Sequence, residues 1–242
     1  MRALVLCGDY WHPAHTAHAG LKPLEGSGFS CDWTEHAGTW SVERMAPYPV
    51  VVLTKSNNLS STDQTPWVTE EVASAFLHYV RNGNGLVVIH SGTAGYHDLP
   101  VLRGVMGGAF ASHPSQCPIT VEPHAGHPLS AGSVPFTLTD EHYLMYLDDP
   151  QADVFVTTTS DHGTQPGGWT RCEGAGRVCV LTPGHNLEVW LHPSYQALIR
   201  NALRWCGKLP MEEAIYGMQV SKPNEGTTWQ ESSDYRGLRL DR

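Results

Sequence analysis

The sequence has no long apolar run. No stretch approaches the roughly 20 apolar residues that a membrane-spanning helix needs. The apolar run at the N-terminus ends at Gly8 and Asp9, which makes it too short for the hydrophobic core of a signal peptide. We therefore expect a cytoplasmic protein without a membrane partner.

Positive charge is also scarce. The 242 residues include 15 Lys and Arg against 24 Asp and Glu, a formal net charge of −9. Nucleic acids and anionic membranes require clustered Lys and Arg, so we expect neither as a partner. The six cysteines contain no C-x-x-C pair, and Cys7, Cys31 and Cys179 lie in apolar runs. That placement is typical of reduced thiols in the core of a cytoplasmic protein.

Several catalytic signatures are missing. No G-x-G-x-x-G follows the first apolar run, and the glycines from Gly104 to Gly108 lack the Lys-Ser/Thr of a phosphate loop, so we expect no nucleotide cofactor. Ser91 follows an apolar run, but Ile89 and Thr93 stand where a nucleophile elbow has glycines. The same turn has no Cys, which excludes a thiol amidotransferase, and the chain has no H-E-x-x-H motif.

Short apolar runs bounded by Gly, Pro or Asp predict buried strands. Val, Leu and Ile follow one another without alternation, which is typical of strands covered on both faces of a parallel sheet. The runs are 3–7, 29–33, 50–53, 86–89, 154–158 and 178–181. Helical patterns lie between them, one starting at Thr65 and Pro66 and stopping at Gly83, another at 193–206. The alternation predicts an α/β protein with a parallel sheet and helices on both faces.

The remaining segments have weaker patterns. Residues 107–149 are rich in Pro, Gly and His, and we interpret them as strands and long loops over the sheet edge. We expect one α/β domain at residues 1–208 and a polar tail at 209–242, which is suited to wrap a neighbouring subunit. A homo-oligomer is expected on general grounds, because symmetric homo-oligomers are common.

Histidine is abundant, with 14 residues. His12, His90 and His185 each come shortly after a predicted strand. Ligands of open α/β sheets bind beyond the carboxyl ends of the strands, so we expect these three side chains to meet. Each one alone fits a hydrogen-bonded loop residue equally well. Glu141 follows the apolar run at 136–138 and fits a metal ligand, a general base or a surface acidic residue.

An ordered series of short motifs resembles the ThuA-like (trehalose-utilisation) family. The series covers roughly residues 3–206 and consists of the His12 loop, 85–91, 102–110, 113–114, 126–129, 140–143, 176–178, 183–185 and 201–205. The resemblance implies a flavodoxin-like fold of the class I glutamine amidotransferase type, in which the turn at His90 and Ser91 replaces the amidotransferase Cys. It also implies a role in sugar catabolism beside oxidoreductases that make 3-keto-glycosides.

With that resemblance, we expect an enzyme that acts on a 3-keto-sugar or 3-keto-glycoside by metal-assisted proton abstraction. Zinc, manganese or iron held by His12, His90, His185 and Glu141 would polarise the ketone. Glu141, His90 and His185 are the expected catalytic residues, with Glu141 or a spare His as the base for isomerisation, elimination or hydrolysis. The expected sugar contacts are Tyr96, His113, Asp140, Tyr143 and Trp190.

Three other functions fit the same residues. Histidine could supply both acid and base without a metal, because its ordinary pKa lies near neutrality. The chain could instead be a sugar-binding subunit that presents a ligand to a sugar dehydrogenase. A hydrolase of non-sugar substrates on the same scaffold is the third alternative.

Overall fold

The apolar runs of the sequence form the strands of the protein. The computed structural model describes residues 1–211. Its strands are β1 (Arg2–Cys7), β2 (Ser30–Thr34), β3 (Val50–Thr54), β4 (Gly85–Ile89), β5 (Gly108–Ser112), β6 (Cys117–Pro123), β7 (Phe136–Asp140), β8 (Leu144–Leu147), β9 (Asp153–Ser160), β10 (Gly163–Glu173) and β11 (Gly176–Leu181). Its α-helices are α1 (Ala14–Leu21), α2 (Val42–Met45), α3 (Glu70–Arg81), α4 (Pro100–Met106), α5 (Leu187–Leu191) and α6 (Pro193–Cys206). The predicted tail lies, from residue 212 onward, outside the described residues.

Nine strands form one sheet in the order β2-β1-β3-β4-β11-β10-β9-β6-β7. The first five are mutually parallel and have the flavodoxin-like order 2-1-3-4-5. The predicted α/β fold is therefore confirmed. The last four strands are antiparallel and extend the sheet on one side, while β5 and β8 form a separate two-stranded ribbon.

Two strands of the antiparallel extension differ from the prediction. The run at 154–158 was expected in the parallel sheet, but it lies in β9, which turns back at once into β10. β10 itself was not predicted, because Pro166, Gly167 and Gly168 interrupt its apolar pattern. The structure places a bulge in the pairing at these residues, which lets the strand continue past them.

The helix α3 begins later than predicted. Its N-cap is Thr69, whose hydroxyl accepts the N–H of Val72 at 3.4 Å, and not Thr65. The preceding residues are held in a loop because Asn57 Oδ1 accepts the N–H groups of Trp67 and Val68, both at 3.0 Å. These two hydrogen bonds override the local helix signal at Thr65 and Pro66. The helix α6, in contrast, has the predicted bounds.

Helices cover both faces of the sheet. One apolar core packs the sheet against α1, α5 and α6, and a second packs it against α2, α3 and α4. Within residues 1–211, no helix is long and apolar enough to span a bilayer. All six cysteines belong to this part of the chain and are unpaired, with Cys7 and Cys179 buried in the first core.

The turn after β4 is packed tightly against β3. Gly92 lies in this turn, and a Cβ atom at its position would stand 2.0 Å from the carbonyl oxygen of Leu53. The contact would be between the backbone of the turn and the backbone of β3, so no side chain could move aside to remove it. The turn that positions His90 therefore depends on a glycine two residues further on.

We predict that Gly92→Ala lowers the free energy of unfolding by about 3 kcal/mol, because it overpacks a rigid site. Gly104→Ala is the matched control, since a Cβ atom there has no neighbour within 4 Å and the residue lies in α4. That variant should be more stable by about 0.8 kcal/mol, the helix propensity gain of Ala over Gly. Urea unfolding of both variants measures the difference. Equal midpoints for Gly92→Ala and the wild type would contradict the packing described.

Candidate metal centre

Four polar side chains meet at the carboxyl ends of the parallel strands. His12 follows β1, His90 follows β4 and His185 follows β11, while Glu141 comes from the end of β7. One ligand atom from each of the four lies within 4.8 Å of all the others. The structure thus brings together the four residues predicted from the sequence to hold a metal.

His12 is oriented by a buried carboxylate. Its Nδ1 lies 2.9 Å and 3.1 Å from the two carboxylate oxygens of Asp9. Asp9 also accepts the backbone N–H groups of Trp11, His12 and Ser56, which fixes the loop. Burial alone would raise the pKa of Asp9, but these hydrogen bonds outweigh it and hold the pKa at about 2. The carboxylate therefore directs Nε2 of His12 toward the centre of the cluster, as outer-sphere carboxylates do for metal-binding histidines.

His90 occupies a strained position in the turn after β4. Its φ angle of 47° lies in the left-handed region, which residues with a side chain rarely adopt. Its Nδ1 lies 2.8 Å from the carbonyl oxygen of Thr182, and an imidazole must donate a proton to such a partner. The lone pair of the neutral ring is then on Nε2. Burial lowers the pKa of His90, so the ring stays neutral.

Asp140 positions both His185 and Glu141. Its buried carboxylate accepts the N–H groups of Gly184 at 2.7 Å and of His185 and Asn186 at 3.0 Å. These bonds hold the end of β7 against the turn after β11. Glu141 is the next residue along the chain, so the contacts of Asp140 also place Glu141 beside the histidines.

The three histidines surround one carboxylate oxygen. Oε2 of Glu141 lies 3.1 Å from His185 Nδ1, 3.4 Å from His90 Nε2 and 3.9 Å from His12 Nε2. All three nitrogen atoms are buried and none makes a hydrogen bond of acceptable geometry, including His185 Nδ1, whose contact with Glu141 is within distance but poorly aligned. Burial alone would raise the pKa of Glu141, but the surrounding histidines hold it well below its ordinary range. Burial lowers the pKa of His12, whereas Asp9 and Glu141 raise it to a net value of about 9.

The donor set fits a divalent metal ion. Buried polar atoms in folded proteins normally have partners, so three orphaned nitrogen atoms at one point require an explanation. Imidazole and carboxylate donors are typical ligands of zinc, manganese and iron. The orphaned atoms of His12, His90 and His185, with the carboxylate of Glu141, can hold such an ion.

An open cavity of 730 Å³ lies over the cluster. Tyr143 forms part of its wall and stacks on His90, with ring centroids 4.0 Å apart. His113 lies on the same wall, with Nε2 3.7 Å from the second oxygen of Glu141. Phe110 packs against Tyr143, with their ring centroids 4.3 Å apart. His113 and Tyr143, two of the predicted sugar contacts, therefore line the cavity.

The other predicted sugar contacts lie elsewhere. Tyr96 is fully buried, and its hydroxyl donates to the carbonyl of Lys55 at 2.7 Å. Trp190 is buried in the core and donates to the carbonyl of Gly184 at 2.6 Å. Asp140 is occupied by the three N–H groups described above. These three side chains support the fold around the site, and their positions do not fit sugar contact.

Sequence reasoning missed Asp9, Trp11 and Asn57. Asp9 stands three residues before His12, and that spacing was the available signal for an orienting carboxylate. Trp11 and Asn57 line the cavity. In the sequence, the position of Trp11 next to His12 was the one feature that could have indicated a place in the cavity wall. No sequence feature indicated this for Asn57.

The fold and the site together define a class: a flavodoxin-like α/β protein with a histidine-rich candidate metal centre at its strand ends. The family whose description is ThuA, trehalose utilisation, matches residues 2–206. The chain belongs to the ThuA family. The comparison with curated proteins gave no match.

Solved structures share the fold. A ThuA-like protein of Parabacteroides merdae is 20% identical, with 88% of this chain and 96% of that chain covered and a TM-score of 0.69. A Salmonella typhimurium protein described as cytoplasmic is 17% identical, with coverages of 85% and 99% and a TM-score of 0.63. A β-galactosidase of Rahnella is 16% identical over 86% of this chain but only 31% of its own, with a TM-score of 0.61. At these identities the likeness concerns the fold.

We predict that binding of Zn²⁺ releases about one proton per ion at pH 7, because His12 has a pKa of about 9 and its Nε2 proton must leave before the ion binds. The apparent affinity should rise about tenfold per pH unit below pH 9. Calorimetric titration in two buffers of different ionisation enthalpy measures the release. The same observed enthalpy in both buffers would contradict a protonated His12.

Proposed function

We propose that the protein is a sugar-catabolic enzyme that removes a proton beside the ketone of a 3-keto-sugar or 3-keto-glycoside. The observation that carries the proposal is the set of three orphaned histidine nitrogens around Glu141 at the base of an open cavity. Membership of a family described by trehalose utilisation supports a saccharide as the substrate. A bound divalent ion would polarise the ketone and stabilise the negative charge that develops on its oxygen.

Residues of the chain would bind the ion and accept the proton from the sugar. His12 and His90 are held in fixed orientations by Asp9 and by the carbonyl of Thr182. Nε2 of His90 has a free lone pair, and Nε2 of His12 becomes a ligand once its proton has left. The base that accepts the C2 proton is Glu141, through the oxygen that faces His113, or His113 itself. Nδ1 of His113 lies 2.8 Å from the carbonyl oxygen of Pro114, so it carries the proton and Nε2 has the lone pair.

Loss of the C2 proton permits two outcomes. Return of the proton to C3, with transfer of the C2 hydroxyl proton to the oxygen on C3, makes C2 the ketone and C3 the alcohol, which is isomerisation. Departure of the C1 substituent with the electron pair gives an unsaturated ketone, and addition of water to it completes hydrolysis of the glycoside. Both outcomes use the same base and the same charge stabilisation at the ketone.

We also propose a cytoplasmic location and a homo-oligomeric state. The unpaired cysteines are compatible with a reducing compartment, and the Salmonella relative is described as cytoplasmic. A homo-oligomer would be in line with the general frequency of symmetric assemblies.

We predict about one equivalent of zinc, manganese or iron in protein purified without an affinity tag or chelator. His12→Ala, His90→Ala and His185→Ala should each lose most of it, because each removes one ligand. His97→Ala is the matched control, since that exposed histidine pairs with Asp98 away from the cluster. Elemental analysis of all four variants and the wild type decides the question. Wild-type protein that stays metal-free after incubation with Zn²⁺, Mn²⁺ and Fe²⁺ would refute the metal centre.

We predict further that His90→Ala lowers turnover of a 3-keto-glucoside by about 10²–10³-fold or more, because loss of this ligand removes the ion that would stabilise the developing negative charge. Chromatography of the sugar products measures the rate. Unchanged turnover in this variant would refute the assignment. A tight 1:1 sugar titration without product in the wild type would favour a sugar-binding subunit instead.

A further inference from the structure

Four tyrosine side chains are buried within residues 1–211, and they differ in what their hydroxyl groups contact. The hydroxyls of Tyr79, Tyr96 and Tyr195 each donate to a backbone carbonyl, at distances of 2.5–2.7 Å. Tyr143 is 2% exposed, yet its hydroxyl makes no hydrogen bond to any residue in this part of the chain. Buried hydroxyls of folded proteins normally have a partner, so this group is suited to a partner that the chain does not supply.

The hydroxyl of Tyr143 is open to the cavity over the cluster. Tyr143 lines that cavity together with His12, His185 and Glu141. Its hydroxyl oxygen is not enclosed by protein atoms, in contrast with Nε2 of His90. A molecule that enters the cavity can therefore reach both the cluster and this hydroxyl.

Packing against other rings, and not a hydrogen bond, holds the hydroxyl of Tyr143 in place. The ring of Tyr143 stacks on that of His90, with centroids 4.0 Å apart and an angle of 25° between the rings. Phe110 and His113 pack against the same ring at centroid distances of 4.3 Å and 5.9 Å. Tight aromatic contacts leave a side chain few positions, so its C–O bond has a fixed direction. Because His90 is one of the four residues that can hold the ion, the ring of Tyr143 borders the place where the ion would bind.

The hydroxyl of Tyr143 keeps its proton. Burial raises the pKa of Tyr143 well above its ordinary value, and the negative charges of Glu141, Asp9 and Asp140 raise this pKa further. The group is therefore a hydrogen-bond donor and not a phenolate at neutral pH. The same three carboxylates oppose new negative charge in the cavity, so a ligand oxygen that acquires such charge is stabilised by any donor beside it.

We propose that the hydroxyl of Tyr143 donates a hydrogen bond to the substrate oxygen that becomes negatively charged when the C2 proton is removed. The base takes the proton and the electron pair moves to the ketone oxygen. Tyr143 keeps its own proton throughout, and its hydrogen bond to that oxygen strengthens as the charge grows. This inference rests on the proposed function for the identity of the charged oxygen, and it makes Tyr143 a catalytic residue.

The first test measures stability. Tyr143→Phe removes the hydroxyl and keeps the ring that stacks on His90. Since no hydrogen bond within the described chain is lost, its urea unfolding midpoint should equal or exceed that of the wild type. Tyr96→Phe is the matched control, because it removes a buried hydroxyl that donates to the carbonyl of Lys55, and its midpoint should fall. A midpoint of Tyr143→Phe that falls as far as that of Tyr96→Phe would overturn the inference, since the hydroxyl would then serve the fold.

The second test measures binding by calorimetry, with acetohydroxamate as the probe. Its ionised form has two adjacent oxygen atoms, like the enediolate that forms when the C2 proton leaves, and it binds divalent ions. Wild-type protein loaded with Zn²⁺ should bind acetohydroxamate about tenfold more tightly than loaded Tyr143→Phe, the effect of one hydrogen bond to a charged acceptor. Tyr146→Phe, which loses an exposed hydroxyl outside the cavity, should bind like the wild type. Equal affinity of the wild type and Tyr143→Phe, or no binding by the wild type, would overturn the inference.

Kinetics separate this inference from the proposed function. With a 3-keto-glucoside as substrate, Tyr143→Phe should lower kcat about 10²-fold and leave KM nearly unchanged, because the lost bond acts on charge that develops during the reaction. A rise of KM alone would overturn the inference. Weaker acetohydroxamate binding by Tyr143→Phe in a protein that turns over no keto-sugar would support the donor role of Tyr143 and refute the proposed function. Equal turnover by the wild type and Tyr143→Phe would refute the role of Tyr143 alone.

Discussion

The site depends on the carboxylate of Asp140. The strand that ends at this residue is the last one in the sheet, four places away from β11 in the strand order. Three backbone N–H groups of the turn at Gly184, His185 and Asn186 converge on the carboxylate and close that distance. The pairing of β10 with β11 joins the two halves of the sheet, and the Asp140 bonds add a direct contact between the end of β7 and the turn after β11. Hydrogen bonds to an ionised acceptor are stronger than neutral ones, so these three bonds hold the two segments firmly together.

The contact between Asp140 and the turn after β11 also explains why a carboxylate and three imidazole rings lie together at the base of the cavity. Glu141 is delivered by the antiparallel half, while the three histidines are delivered by loops of the parallel half. Each histidine nitrogen that faces Glu141 is buried without a hydrogen bond, which costs free energy in a protein that holds no ligand there. Many contacts of the sheet and its loops fix the positions of these groups, so the fold remains stable despite the free energy lost by burying them without hydrogen bonds. A ligand that accepts lone pairs from all three rings would remove it.

The sequence was sufficient for the parts of the site that follow strands. The rule that ligands bind beyond the carboxyl ends of parallel strands predicts from the sequence alone that His12, His90 and His185 lie together. The same reasoning could not foresee Asp140 as a structural joint, because its partners lie more than forty residues away and are backbone groups. Nor could it foresee that Tyr96 and Trp190 turn inward. Aromatic residues next to a predicted site are as useful to the core as to a sugar, and only the packing decides between the two.

The fold was predicted to a similar extent. Uninterrupted apolar runs identified the parallel strands, whereas β10 escaped because a bulge at Gly167 and Gly168 conceals its period. The start of α3 was wrong for a related reason, since the amide of Asn57 captured the N–H groups of Trp67 and Val68 from across the loop. In both places a contact with a neighbouring segment prevailed over the pattern of the segment itself.

The strained turn at His90 relates the fold to its chemistry. The turn after β4 carries an imidazole whose residue has a φ angle of 47°. The neighbouring Gly92 lets the turn approach the backbone of Leu53, and Thr182 accepts the proton of Nδ1, so both the backbone and the tautomer of His90 are fixed. With the backbone and the tautomer both fixed, the lone pair of His90 Nε2 points in one direction, toward Glu141. A ligand that binds at the cluster would therefore meet this atom without any rearrangement of the turn.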